Sequence, residues 1–212
     1  MIKTRLQLWG NKHFKFTVMS SSPFFNGSTN SATAETSRAL RSLYFTRAAF
    51  SIIWVVLVSI FSKDSPEFGK VLLVIYPIWD VFGTLLDIRA NKNNTTATPQ
   101  YINAVISLIT AVAVGIALQT GVSEALRVFG CWAVLTGIIQ LLMGLIRRKS
   151  IGGQWPMIIS GGQSVIAGIS FIVLASAPTM GIASLAGYAA FGAFYYLLSA
   201  FRIPKTAESV IS

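Results

Sequence analysis

Cysteine occurs once in this chain, as Cys131, and histidine once, as His13. A lone cysteine excludes an intrachain disulfide and a CxxC redox or zinc pair. One His beside one Cys leaves neither a Cys–His dyad nor a multi-histidine metal cage. No catalytic residue and no cofactor is expected from this inventory, and the chain is read as non-enzymatic. Charge is scarce as well, at 11% of residues, where a soluble domain carries roughly 25%. Acidic residues are scarcest, 7 against 17 Lys and Arg, which leaves a net charge of +10. Those basic residues fall in short gaps between apolar runs, so they report topology and nucleic acid is not expected as a partner.

What is abundant is apolar sequence, 53% of the chain. Six apolar segments span about 46–62, 69–88, 101–120, 125–146, 155–176 and 181–201. Most approach the ~20 residues that cross ~30 Å of hydrocarbon at 1.5 Å per residue; the first is the shortest. Membrane strands would alternate apolar and polar residues, and VLLVIY and GIIQLLMGLI do not. The expected fold is all-α, a polytopic bundle of six transmembrane helices over 44–203, in contact with the lipid bilayer. Residues 1–43 lack the apolar core of a signal peptide and read as a polar, disordered cytoplasmic tail; 204–212 read as a short second tail.

Lysine and arginine set the orientation. Fourteen of them lie in the N-terminal tail or on the side where even-numbered helices end, and three (Lys63, Lys70, Arg127) lie opposite. The positive-inside rule then puts both termini in the cytoplasm. The sequons Asn26-Gly27-Ser28, Asn93-Asn94-Thr95 and Asn94-Thr95-Thr96 would face the cytoplasm too, and read as turn or linker residues.

Each even-numbered helix ends in a basic cluster: LLDIRANK, MGLIRRK and LSAFRIPK, with Arg89, Arg147 and Arg202 spaced by 58 and 55 residues. Small residues run along matching stripes of odd-numbered helices: Ser51, Val55 and Ser59; Ser107, Ala111 and Gly115; Ser160, Ser164 and Gly168. Positions i, i+4 and i+8 share one helix face, and small residues there allow close backbone approach. The pattern predicts three parallel two-helix repeats about an axis along the membrane normal. It also offers seams that a second copy or a membrane partner could use.

The stretch RRKSIGGQWPMIISGGQSVIAGISFIVLASAP, followed by GYAAFGAFYYLLSAFR, resembles the short-repeat integral membrane proteins that include the bacterial acid-resistance protein HdeD. The shared pattern is a basic loop, Gly and Trp where a helix begins, a small-residue helix, an X-Pro turn and a helix starting near Gly. The resemblance covers roughly 44–203 and is best in the last two hairpins. It implies a six-helix inner-membrane protein, linked in that member to acid stress, with no catalytic motif to carry over.

Asp80 and Asp87 are the only acidic residues inside the expected spans. Two helical turns apart, they share one face, and Asp80 lies about 13 Å from the cytoplasmic edge at 1.5 Å per residue. A charged Asp at that depth costs about 2.5–3.5 kcal/mol on insertion scales, so it must face the bundle interior. Thr110, Gln140, Gln163 and Tyr195 fall at similar depth and would complete a polar layer. Pro77 cannot hydrogen-bond the carbonyl of Leu73, which leaves a free acceptor near the acid. Two functional readings stand beside that of a stress-linked membrane protein: a small transporter or proton-linked permease using Asp80, and a scaffold binding a partner through the small-residue seams.

Overall fold

The computed structural model describes residues 23–90, 97–149 and 153–203, with side chains described from residue 34 onward except at 63. The segment 1–22, the linker residues 91–96 that carry two of the three sequons, and the tail from 204 lie outside the described residues. Among the described residues the chain forms six helices and no strand: α1 (Pro23–Asp64), α2 (Pro66–Ala90), α3 (Thr98–Thr120), α4 (Val122–Arg147), α5 (Trp155–Leu174) and α6 (Ser184–Arg202).

The breaks follow local chemistry. Pro66 ends α1 and opens α2, since proline suits a first helical turn and not an interior. Gly121 separates α3 from α4 at φ 156° and ψ 169°, a conformation that side chains rarely adopt, and its N–H caps the carbonyl of Ala117. Pro156 sits in the first turn of α5. Inside α2, Pro77 is accommodated without ending the helix. The indole of Trp54 donates to the Leu72 carbonyl at 2.9 Å, one residue before the carbonyl that Pro77 frees.

All six helices are long and apolar enough to cross a membrane, the first over Ala34–Ser62. The surface is inside-out: Ile109, Ile116, Ile166, Val173 and Phe201 are each more than 60% exposed. Large apolar side chains exposed this densely belong against lipid. The protein is a multi-pass helical membrane protein.

Helix α1 begins well before the expected boundary at 44. No proline interrupts the chain between Pro23 and Pro66, and Thr36, Ser37, Leu40, Leu43 and Tyr44 are buried. The first span is therefore longer than 46–62, and Arg47 lies within it rather than at its edge. This relocation of one arginine shapes the site.

Each helix packs on its sequence neighbours and α6 closes onto α1, so the six form a ring. Two apolar clusters fill its two ends. At the end where α2, α4 and α6 finish in basic residues, Leu40, Leu43, Tyr44, Met157, Ala200 and Ile203 pack together. Toward the far end the larger cluster includes Trp54, Val58, Leu73, Val114, Leu126, Phe129 and Leu185. Between them the bundle is hollow, with polar and charged side chains set in a largely apolar wall.

Candidate functional site: a charged cavity inside the ring

The hollow is a cavity of about 380 Å³ lined by all six helices. Asp80 stands on its wall, 15% exposed, and accepts three hydrogen bonds: from Arg47 at 2.9 Å, Asn103 at 2.7 Å and Ser107 at 2.8 Å. Arg47 also donates to the Tyr196 hydroxyl at 2.9 Å and to Thr84 Oγ1 at 3.3 Å. Asn103 donates to Thr84 at 2.8 Å, and Trp132 donates its indole N–H to Ser107 at 2.9 Å. One carboxylate thus ties together α1, α2, α3, α4 and α6. Gly83 makes room for the pair: a Cβ there would lie 2.8 Å from three atoms of the Arg47 guanidinium.

Two turns along α2, Asp87 pairs with Arg147 at 2.6 Å, with the arginine side chain 5% exposed. Gln100, with its amide oxygen toward the guanidinium, accepts from Arg147 at 3.1 Å. Tyr44 donates to Gln154 at 3.3 Å beside them. The cavity wall therefore carries two aspartates and two arginines, each acid matched to a base. Buried charge is expensive unless paired and hydrogen-bonded, and both pairs meet that requirement. Among the described residues no three His, Cys, Asp or Glu side chains gather as metal ligands.

Of the residues expected to form a polar layer, Asp80, Asp87, Gln140, Gln163 and Tyr195 line the cavity. Thr110 does not; it is buried on α3 away from the hollow, because the α3 face turned inward carries Gln100 and Asn103. Asp80 takes its hydrogen bonds from Arg47, Asn103 and Ser107, not from Gln140 or Gln163; Gln140 donates to the Met157 carbonyl at 3.3 Å.

The polar layer expected from sequence lacks both arginines, Asn103 and Tyr196. Arg47 reads from hydropathy as the charged edge of a short span. A helical stripe does mark it, since Leu40, Leu43, Tyr44, Arg47 and Ser51 recur at 3, 1, 3 and 4. Trp132 and Tyr44 are turned inward, 4% and 2% exposed. Trp155 and Tyr101 do face outward.

The small-residue stripes divide. Ser107, Ala111, Ser164 and Gly168 are buried, whereas Ser160 borders the cavity and a Cβ added at Gly115 would meet no atom within 4 Å. The close approach on α5 runs through Gly161, Ser164 and Gly168 against α4. A Cβ on Gly168 would lie 2.6 Å from the Gly130 carbonyl, and one on Gly161 would lie 2.6 Å from the Leu141 nitrogen. In SGGQS, Gly161 and Ser164 therefore belong to the helix seam, while Ser160 and Gln163 border the cavity.

Fold and cavity together define a multi-pass membrane protein with a polar, ion-paired interior. No family model matches the chain, and neither the curated proteins nor the solved structures contain a match.

Proposed function

We propose that this chain is a non-enzymatic carrier of the bacterial cytoplasmic membrane that binds a small molecule in the central cavity and moves it across the bilayer. The observation that supports this most is the Arg47–Asp80 pair on the wall of a hollow inside a ring of membrane helices. A bundle selected for stability alone is better served by apolar side chains, which often equal or exceed a buried ion pair in stability. An intramembrane acid facing a cavity is the usual mark of a substrate or proton path.

The pair also supplies a latch. A solute group that accepts from Arg47 or donates to Asp80 competes with the pair and loosens the link between α1 and α2. The short-repeat pattern of the last two hairpins adds acid stress as the setting in which such a carrier would act. Both termini are assigned to the cytoplasm, because α2, α4 and α6 end in Arg89, Arg147 and Arg202 at one end of the ring.

The test is transport in proteoliposomes, with a panel of fluorescent water-soluble solutes and fluorescent lysophospholipids. Wild-type protein should carry at least one member faster than protein-free vesicles. Asp80→Asn, which keeps shape and removes the charge, should fold and carry that member more slowly, toward the rate of empty vesicles. Rates equal to those of empty vesicles across the panel would defeat the proposal.

A further inference from the structure

The cavity is shut at both ends and weak on one side. At the basic end Gln100, Arg147 and Gln154 are 5% exposed or less, and they close the floor together with the cluster around Leu43 and Met157. At the far end Trp54, Val58, Leu126 and Leu185 fill the ring. On the side, α5 and α6 make the sparsest contact in the ring. Lining residues reach the outside there: Phe191 is 55% exposed, Gly187 is exposed, and Ser160, Gln163 and Ser170 are half-exposed. The hydroxyls of Ser164 and Tyr188 share a hydrogen bond across this seam at 2.9 Å. Among the described residues the hydrogen bonds around Asp80 tie together the other five helices.

We infer that the cavity takes the headgroup of an amphiphile delivered sideways from the bilayer through the seam between α5 and α6. The inference rests on the carrier reading and names its substrate class. Three observations favour an amphiphile over a solute arriving from water. The accessible side faces hydrocarbon, not either aqueous end. Ser160, Gln163 and Ser170 give a polar head hydrogen-bonding partners along the rim, while exposed Phe191 suits a tail left in the membrane. The two acids and two bases of the wall are paired with one another, so the matching headgroup has no net charge, as phosphocholine has none.

The experiment uses the full chain in liposomes doped with lysophosphatidylcholine bearing a diazirine in its tail, with labelled residues mapped by mass spectrometry. Labelling should concentrate on the α5–α6 seam, about tenfold above the lipid-facing α3 positions Ile109 and Ile116, as one specific anchoring interaction would produce. Gly187→Trp and Gly192→Trp should abolish that excess. A Cβ at 187 meets nothing within 4 Å, and one at 192 meets only the Tyr76 hydroxyl at 4.0 Å, so both variants have room to fold. Labelling spread evenly over all helices would overturn the inference, as would a seam that stays unlabelled because a second copy covers it. An anionic lysolipid competing better than the zwitterion would overturn the headgroup assignment. If water-soluble solutes of the transport panel pass while the seam stays unlabelled, the side opening fails and the carrier reading survives.

Discussion

Helix α5 makes two seams, and they are built on opposite principles. Against α4, backbone meets backbone: Gly130 faces Gly168 and Gly137 faces Gly161, so closely that a methyl group on any of them would lie within 3 Å of the other helix. Ser164 adds a hydrogen bond to the Ala133 carbonyl at 2.9 Å. Against α6, small residues are present too, yet Gly187 and Gly192 have almost nothing beside them. Small residues form a tight membrane interface only when the partner offers its own in register. Where one side lacks them, the same composition leaves a gap. The ring thus has a fixed side and a loose side.

The largest expected effect lies in neither seam of α5 but in the network that ties the other five helices together. Asp80→Leu leaves Arg47 buried without its anion and should cost about 3–5 kcal/mol in detergent-induced unfolding. Arg47→Leu in the same chain should return much of that loss; a double variant no more stable than Asp80→Leu would mean that the pair is not what holds α1 to α2. Next, Gly161→Leu should cost about 1–3 kcal/mol by overpacking, whereas Gly187→Leu should stay within about 0.5 kcal/mol, as open surface sites do. Equal losses would erase the contrast between the seams. Ser164→Ala should cost about 1 kcal/mol through its two hydrogen bonds. Smallest of all, Gly115→Ala should gain about 0.5 kcal/mol, since it stiffens a helix where no neighbour objects.

Much of the frame is legible in the sequence. Hydropathy and length find six spans, the first of them cut short at its start, because a helix in lipid must satisfy its own backbone and needs a long apolar run to do so. The position of Asp80 and Asp87 on one inward face follows from their spacing alone. What the spacing does not reveal is who answers them. Arg47 escapes notice because hydropathy averages place any arginine at a span edge, while its true setting depends on Leu40, Leu43 and Tyr44 continuing the helix below it. Ser107 is legible as a small residue in a packing stripe but not as a hydrogen-bond donor, since that role depends on α2 lying opposite. At the first position of the α5 stripe the buried residue is Gly161 and not Ser160, for the same reason: the two are similarly small, and only the glycines of α4 decide which is buried.

In the carrier reading the Arg47–Asp80 pair is the working element of the cavity, and Gly83 allows it to be tested without altering a charge. A methyl group at Gly83 collides with the Arg47 guanidinium, so Gly83→Ala should push the arginine off Asp80 while leaving both residues in place. Transport into proteoliposomes should then slow in Gly83→Ala as it does in Asp80→Asn, with the fold retained. Wild-type rates in both variants would contradict this reading and reduce the pair to a structural tie between helices.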